Sequence, residues 1–470
     1  MVKKVVVLAA FFLHLCSNMI VRSGAAGSLV KFLPGFNGSL PFELESGYLG
    51  VGDSEDVQLF YYFIKSESNP KSDPLLLWVS GGPGCSSLSG LLFEIGPLMF
   101  GPKIPENITE TVPTLISQPN SWTKVANIIF LDMPAGTGFS YAKTKADQQS
   151  TTIQACQQSY EFLLKWLVDH PEFVSNPFYM GGDSYAGAFI PIITQIISDG
   201  NDKGINTKIN LKGYVLGNPY TAPDYDNYKV PYAHGMGLIS DEFFESWKKS
   251  CEGEIYDIIR PDNVKCSEVV QSFQTMVFGI NPLHISEPLC MPPLLRSQEG
   301  FAHTRRLLEK FNHLTGATVP SSKFCRWLVY IFAELWANHE SVQEALNVKK
   351  GSIGRWERCN HDLDYNGTTI DLIPYHQKLS ARGYRSLIYS GDHDFVITFI
   401  STQAWIRALN YSIIDEWRPW IVDREVAGFT RTYSNNMTFA TVKGAGHTAA
   451  EYKPQECQTM MKRWFSYDPL

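Results

Sequence analysis

The sequence lacks the features that mark nucleic-acid, nucleotide and metal binding. Its formal net charge is −7 without a basic run or stripe, which argues against a nucleic-acid partner. It has neither a Gly-Lys-Ser/Thr ending nor a Gly-x-Gly-x-x-Gly pattern, so no phosphate-cradling loop is predicted. No Cys-x-x-Cys pair occurs, so neither a zinc knuckle nor a thioredoxin-like redox site has support. We therefore expect no metal and no cofactor.

Long hydrophobic runs are also lacking after the N-terminus. Lys3 and Lys4 precede an apolar run over residues 5–16, and small residues follow at 23–27, which is the order found in a secretory signal peptide. The run is shorter than the roughly 20 residues that a bilayer span needs. We expect residues 1–26 to be removed and the mature protein to have no membrane segment. It would then be extracellular or vacuolar, with an oligomeric state that the sequence does not define.

The cysteine count fits the secretory route. The chain has nine cysteines, which become eight once Cys16 leaves with the signal, and an even count in an oxidising compartment favours disulfides. Acceptor sequons for N-glycosylation occur at Asn37, Asn107, Asn366, Asn410 and Asn436. Both features predict a secreted, glycosylated and disulfide-bonded protein.

The order of predicted elements defines the fold class. Hydrophobic residues make up 44% of the 470-residue chain, enough for a large core. Short β-rich runs alternate with helical patterns, which favours an α/β fold with a mostly parallel central sheet and helices on both faces. The predicted strands are 57–63, 74–80, 128–132, 178–180, 211–217, 385–391 and 438–444, and the predicted helices are 151–168, 187–198 and 454–465.

The alternation stops over residues 220–350, which hold four of the nine cysteines, proline-rich turns and short helical patterns. We expect this stretch to be an inserted, largely helical cap subdomain. The α/β core then comprises residues 27–219 and 351–470.

A serine turn follows one predicted strand. In the run Phe178-Tyr-Met-Gly-Gly-Asp-Ser-Tyr-Ala-Gly, Ser184 lies between small residues where a strand gives way to a helix. This is how an α/β-hydrolase exposes a nucleophilic hydroxyl. The strict Gly-x-Ser-x-Gly pattern fails because Ala186 replaces the second glycine. An ordinary serine turn in an α/β domain is the alternative interpretation.

A nucleophilic serine needs a base and an orienting carboxylate, which α/β-hydrolases supply in the chain order Ser, Asp, His. Ser-Gly-Asp-His-Asp follows the strand at 385–391, and Gly-Ala-Gly-His-Thr follows the strand at 438–444. His447 is the preferred base because the adjacent glycine leaves room for its ring, and His393 is its rival. Asp392 and Asp394 both remain candidates for the carboxylate.

An oxyanion hole requires two N–H donors aimed at the developing charge. Tyr185 directly follows the serine and should supply one donor. The glycine-rich loop after the strand at 74–80 should supply the other. We choose Gly82 because Pro83 has no N–H to give.

These residues resemble the serine carboxypeptidase family over residues 35–464. Ser-Gly-Gly-Pro-Gly-Cys-Ser-Ser at 80–87 and Asp-Met-Pro-Ala-Gly-Thr-Gly-Phe-Ser at 132–140 are close to family hallmarks. The surroundings of the serine, the aspartates and the histidine also fit. The resemblance implies an α/β-hydrolase core with an inserted cap, and a triad of Ser184, Asp392 and His447. It also implies disulfides Cys85–Cys359, Cys251–Cys266 and Cys290–Cys325, with Cys156 and Cys457 as free thiols.

Two positions depart from the peptidases of this family. Those enzymes grip a peptide's terminal carboxylate with an Asn before Gly-Gly-Pro-Gly, a Glu before the serine and a further Glu downstream. Here the substrate-binding positions are Ser80, Gly81, Asp183 and Glu94, so of the three grip residues only Glu94 is kept. Asp is shorter and more acidic than Glu, and Ser has less reach than Asn. Recognition of a free carboxylate should weaken.

The same changes resemble the plant serine carboxypeptidase-like acyltransferases. This likeness implies transfer of an acyl group, such as a hydroxycinnamate or benzoate, from a glucose ester to an alcohol acceptor. The partners would be small-molecule donors and acceptors. The alternatives are a carboxypeptidase acting on peptide C-termini, a hydrolase of another ester, and a catalytically silent binding protein on the same fold.

Overall fold

The computed structural model describes residues 27–101, 112–204, 206–222, 228–256, 258–288, 326–367 and 370–470. Its centre is a 12-stranded sheet in the order β1-β2-β3-β7-β4-β10-β11-β13-β16-β15-β14, with β8 paired to β3. Its strands are β1 (Ser28–Val30), β2 (Leu44–Val51), β3 (Val57–Ile64), β4 (Leu75–Val79), β7 (Asn127–Leu131), β8 (Tyr141–Ala142), β10 (Phe178–Asp183), β11 (Leu211–Gly217), β13 (Arg385–Gly391), β14 (Ile413–Val422), β15 (Glu425–Tyr433) and β16 (Met437–Val442).

The middle of the sheet is parallel and its margins are antiparallel. Strands β7, β4, β10, β11, β13 and β16 pair in parallel, in that order. Two small separate sheets pair β5 (Leu98–Phe100) with β6 (Leu115–Ser117), and β9 (Ser150–Thr151) with β12 (Tyr365–Asn366). Because parallel strands present their carboxyl ends at one edge, the loops after β4, β10, β11, β13 and β16 meet there.

Both faces of the central sheet are buried. In β4, Leu76 and Trp78 join one hydrophobic cluster, whereas Leu75, Leu77 and Val79 join the other. Alternate side chains of an unbroken apolar strand therefore enter two different cores, which requires helices on both sides. The predicted α/β class is confirmed.

The longer helices supply the two covering layers. The helices are α1 (Lys145–Gln148), α2 (Thr152–Asp169), α3 (Ile190–Lys203), α4 (Lys229–Gly235), α5 (Asp241–Ser250), α6 (Val264–Val277), α7 (Arg326–Ala337), α8 (Glu340–Ala345), α9 (Ile373–Ala381), α10 (Phe399–Ala408), α11 (Ala449–Tyr452) and α12 (Pro454–Phe465). Helices α2, α3, α9 and α10 pack on one face, and α7, α8 and α12 pack on the other. Among these residues no helix is long and apolar enough to cross a bilayer.

The described part of residues 220–350 is helical, but it packs in two ways. Helices α4, α5 and α6 contribute to two smaller clusters, one of which also includes Phe395 from the loop after β13. Helix α7 instead enters the main core, and its Trp336 donates a hydrogen bond from Nε1 to Pro34 O at 2.7 Å. The packing therefore associates residues 326–345 with the core, whereas the division into core and cap stays a prediction.

Two of the expected disulfides are present, Cys85–Cys359 and Cys251–Cys266. Cys156 and Cys457 are free, as expected, and both are buried. The pair Cys290–Cys325 lies outside the described residues. Of the sequons, Asn37, Asn366, Asn410 and Asn436 are exposed, and Asn107 lies outside the described residues. Their glycosylation stays a prediction.

Candidate active site

Ser184 lies at a strained turn between β10 and a 3₁₀ helix over Ser184–Ala188. Its φ is +56°, a left-handed conformation that non-glycine residues seldom adopt. Its carbonyl accepts a hydrogen bond from Tyr220 N at 3.0 Å, which fixes the turn from the end of the neighbouring strand. Such strain is typical of a nucleophile elbow, which lifts the hydroxyl above the sheet edge.

The small residues around the serine are required by close backbone contacts. A Cβ on Gly182 would lie 2.5 Å from Val79 O and 2.6 Å from the methyl of Ala186. A Cβ on Gly187 would lie 2.2 Å from Tyr220 O. Ala186 therefore fits in place of the usual glycine because Gly182 leaves space for its methyl group.

His447 connects the serine to a carboxylate. His447 Nε2 lies 2.8 Å from Ser184 Oγ, and its Nδ1 lies 2.8 Å from Asp394 Oδ2. Asp394 is fully buried. This is the geometry of a nucleophile, a general base and a carboxylate that orients the base.

The choice of Asp392 as the triad carboxylate is wrong. Its Oδ1 lies 2.7 Å from His393 Nδ1 and accepts a hydrogen bond from Gly444 N at 2.7 Å. The Asp392 side chain points away from His447 and remains partly exposed, whereas Asp394, two residues later, turns inward. The rival base His393 pairs with Asp392 and not with the serine.

Asn218 is a site residue that the sequence did not reveal. It follows β11, and its Nδ2 donates a hydrogen bond to Asp394 Oδ2 at 2.7 Å. Its Oδ1 accepts one from Gly391 N at 3.1 Å. Further hydrogen bonds to Asp394 come from Val396 N and Ile397 N. A polar residue directly after a central strand was the available signal.

The electrostatics favour a basic imidazole. Burial lowers the pKa of His447, but the charge of Asp394 and the hydrogen bond to it raise the pKa, and the net shift is upward. Asp183 adds to this rise, and Arg358 opposes it. The imidazolium that forms when Ser184 loses its proton is therefore stabilised.

The glycine-rich loop after β4 lies against the serine. A Cβ on Gly81 would lie 2.6 Å from Ser184 Cβ and 2.7 Å from Tyr185 N. Gly82 has a φ of +114°, which a side chain would strain, and its N–H has no acceptor among the described residues. The proximity of this loop to Tyr185 N is compatible with an oxyanion hole formed by Gly82 and Tyr185, which stays a prediction.

Asp183 and Glu94, two of the predicted substrate-binding residues, form a buried pair of carboxyl groups in which the charge of Asp183 acts on Glu94. Burial raises the pKa of Asp183 to about 6, although His447, the N–H of Gly81 and Arg358 lower it. Burial, with the charges of Asp183 and Glu451, raises the pKa of Glu94 well above its usual value, which favours the neutral carboxyl.

Ser80 Oγ and Glu94 Oε2 are buried without a hydrogen-bond partner among the described residues. Buried polar atoms are normally hydrogen-bonded. Arg358, which follows from no sequence motif, acts electrostatically on Asp183, Glu94 and His447. It is next to Cys359, whose disulfide to Cys85 ties its segment to the glycine-rich loop.

Aromatic side chains border the serine. Tyr185 stacks on Tyr220 with ring centroids 5.6 Å apart, and Tyr365 meets Tyr185 edge-on at 6.3 Å. Tyr365 OH lies 2.7 Å from Thr152 Oγ1, which fixes its ring. We call Tyr185, Tyr220 and Tyr365 the aromatic wall. Among the described residues, no group of three or more His, Cys, Asp and Glu side chains is arranged to hold a metal ion.

One protein family has both this fold and these motifs. A family model described as serine carboxypeptidase matches residues 34–467. The chain therefore belongs to the serine carboxypeptidase family, a family of hydrolytic enzymes, as the resemblance implied.

Relatives from Arabidopsis thaliana match nearly the whole chain. "Serine carboxypeptidase-like 11" is 51% identical over 446 residues, which cover 95% of this chain and 95% of the relative. "Serine carboxypeptidase-like 10" is 50% identical, with 96% and 97% covered. Among solved structures, Kex1(Δ)p, a prohormone-processing carboxypeptidase from Saccharomyces cerevisiae, matches with a TM-score of 0.71 at 19% identity, covering 93% of this chain and 95% of that one. That likeness confirms the α/β-hydrolase fold.

Proposed function

We propose that the chain is an acyltransferase of the secretory pathway that moves an acyl group from a glucose ester to an alcohol through an acyl-enzyme on Ser184. The observation that carries this proposal is the altered carboxylate grip formed by Ser80 and Asp183. A peptidase and a transferase share the first covalent step, so the groups that surround the leaving group and the acceptor decide between them.

In the first step, Ser184 Oγ attacks the ester carbonyl carbon while His447 Nε2 takes its proton. Asp394 accepts a hydrogen bond from Nδ1 and stabilises the imidazolium. The tetrahedral oxyanion would lie between the N–H groups of Gly82 and Tyr185. On collapse, the ester C–O bond breaks, glucose leaves with the proton from His447, and the acyl group stays on Ser184.

The second step reverses the roles. The acceptor hydroxyl gives its proton to His447 Nε2 and attacks the acyl carbonyl carbon. The bond to Ser184 Oγ then breaks, and the serine recovers its proton. Water can follow the same course, so transfer requires that the alcohol occupy the site in preference to water.

The grip residues favour a neutral polar leaving group over a carboxylate. With a pKa of about 6, Asp183 is mostly charged at neutral pH and repels a second carboxylate. Glucose carries no charge and presents several hydroxyls. The charge of Asp183 therefore disfavours a terminal carboxylate but does not oppose a glucose leaving group.

The aromatic wall favours a flat acyl group. Tyr185 directly follows the nucleophile, and its ring, with those of Tyr220 and Tyr365, offers stacked and edge-on surfaces beside Ser184. A hydroxycinnamoyl or benzoyl group can pack against such rings at the usual aromatic distances of 4.5–7 Å. We therefore propose an aromatic acyl donor.

A substrate comparison tests the function. The purified protein is offered a blocked dipeptide and, separately, a hydroxycinnamoyl glucose with mixed alcohol acceptors. We expect ester products and released glucose from the second substrate, and little amino-acid release from the first. Fast release of the terminal amino acid without any transfer would instead establish a carboxypeptidase.

Restoring the grip should restore peptidase activity. We expect Ser80→Asn with Asp183→Glu to raise kcat/KM for a blocked dipeptide about 10- to 100-fold, because a longer, less acidic carboxyl and an amide can again bind a terminal carboxylate. The gain should be larger at pH 5 than at pH 7, since a protonated Glu donates the hydrogen bond.

The matched control is Glu94→Gln in the double variant. The raised pKa of Glu94 favours its neutral form, so Gln keeps the size and disturbs the charge of the site little while the third grip residue changes. A double variant that gains no peptidase activity, with its melting temperature and its transfer activity intact, would show that the grip does not set the choice of substrate.

A further inference from the structure

A short segment of the inserted region, residues 282–285, lies across both catalytic loops, and we call it the strap. Phe395 N donates a hydrogen bond to Pro282 O at 2.9 Å, and Ile285 N donates one to His393 O at 3.0 Å. These two bonds flank Asp394 on either side. His447 N donates a third bond, to Leu283 O at 2.7 Å.

The strap also packs tightly against the loop that carries the base. A Cβ on Gly446 would lie 2.2 Å from Leu283 O, so the carbonyl rests directly on the glycine Cα. The glycine beside His447 thus makes room for the strap. Any displacement of the strap would move the backbones of His447 and of the residues on either side of Asp394.

His284 holds the strap in place through both ring nitrogens. It is buried, its Nε2 lies 3.3 Å from Gly444 O, and its Nδ1 accepts a hydrogen bond from Ser286 N at 3.2 Å. One neutral tautomer, with the proton on Nε2, satisfies both contacts. Burial lowers the pKa of His284, which favours this neutral form.

The neighbours of His284 form a continuous series of contacts between the loop of Asp394 and the loop of His447. Its ring stacks on His393 with centroids 5.0 Å apart. His393 contacts Asp392, and Asp392 accepts a hydrogen bond from the N–H of Gly444. The carbonyl of Gly444 in turn faces His284 Nε2. The Tyr452 ring lies 4.8 Å away on another side.

We propose that His284 is a positioning residue that, in its neutral form, keeps the loops of Asp394 and His447 in catalytic register through the strap. The inference rests on the proposed role of Ser184 and its partners, but not on the identity of the acyl donor or acceptor. Catalysis depends on two contacts of 2.8 Å, from His447 to Ser184 and from His447 to Asp394. Because a misplacement of about 1 Å can lower the rate about 10²-fold, the positions of these loops must be held closely.

Two variants separate the contacts of His284. His284→Phe keeps a ring that can stack on His393 but loses both hydrogen bonds. His284→Gln can still donate to Gly444 O. The matched control is His234→Phe, which removes another histidine of the inserted region that stacks on a ring, Phe244, and pairs with a carboxylate, Asp241.

We expect His284→Phe to lower kcat and the rate of Ser184 labelling by a fluorophosphonate in parallel, each about 10- to 100-fold. KM should change little, because the substrate contacts are intact. His284→Gln should recover most of the loss, and His234→Phe should match the wild type. Labelling of the wild-type protein shows independently that Ser184 is reactive, so its absence would overturn the proposed function and this inference with it.

The dependence of kcat on pH distinguishes a positioning role of neutral His284 from a purely structural role, which would not alter this dependence. Protonated Nδ1 cannot accept from Ser286 N, so wild-type kcat should show an additional loss as the pH falls through the lowered pKa of His284. The charged and titratable neighbours are His393, Glu287 and Arg326, with Asp392 behind His393 and Tyr452 beside the ring. This acid step should be absent in His284→Gln.

The inference would be overturned if His284→Phe were labelled by the fluorophosphonate as fast as the wild type. It would also be overturned if the acid side of the pH profile of kcat were the same in His284→Gln as in the wild type. If His284→Phe fails to fold, the profile of His284→Gln decides alone.

Discussion

Replacing Asp394 by Asn should lower kcat about 10⁴-fold with little change in KM. The Asn amide can donate to His447 Nδ1, which would hold the imidazole in the tautomer that cannot take the serine proton. The carboxylate is fully buried and lies 2.8 Å from Nδ1, so no solvent can replace it. Steady-state kinetics with a hydroxycinnamoyl glucose and an alcohol measure the loss.

Asp392→Asn is the matched control, because it makes the same chemical change two residues away. Its Oδ1 can still accept from Gly444 N after the substitution, so at most the contact with His393 weakens. A single hydrogen bond of this kind is worth about 1 kcal/mol, which corresponds to a loss of less than about tenfold. A larger loss in Asp392→Asn than in Asp394→Asn would reverse the assignment.

Ser184→Ala should lower kcat about 10⁶-fold and abolish fluorophosphonate labelling. The variant removes Oγ, the atom 2.8 Å from His447 Nε2, but keeps the backbone and the small side chain that the turn requires. The melting temperature should stay within a few degrees of the wild type. Residual labelling at another residue, or activity near the wild-type level, would mean that the acyl group is not carried by Ser184.

The sequence predicted the centre of the fold because that part has strong local patterns. The strand predicted at 211–217 and the helix predicted at 454–465 have the observed bounds. Ser184 and His447 could also be predicted, because each lies in a short glycine-flanked segment directly after a buried strand. Such a segment is recognised from neighbouring residues alone.

The carboxylate could not be chosen from the same pattern. Asp392 and Asp394 are in one loop without a regular period, and the direction of each side chain depends on distant groups. Asn218 and the backbone N–H groups of Val396 and Ile397 turn Asp394 inward. Gly444, which is far along the chain, holds Asp392 outward.

Two further elements escaped prediction for similar reasons. The β14–β15 hairpin turns at Asp423 and Arg424, which both have positive φ, without the Asn-Gly or Asp-Gly pair that usually marks such a turn. The strap has no regular secondary structure, and its contacts with the catalytic loops span more than a hundred residues of sequence.

The central claim is that an acyl group on Ser184 passes to an alcohol, and one measurement tests it directly. The enzyme is mixed with a hydroxycinnamoyl glucose, quenched in acid and examined by mass spectrometry, with and without the alcohol. We predict a hydroxycinnamoyl adduct on the Ser184 peptide that accumulates without acceptor and is discharged into the ester when acceptor is present. An adduct that discharges only to the free acid, at a rate independent of the alcohol, would contradict the account.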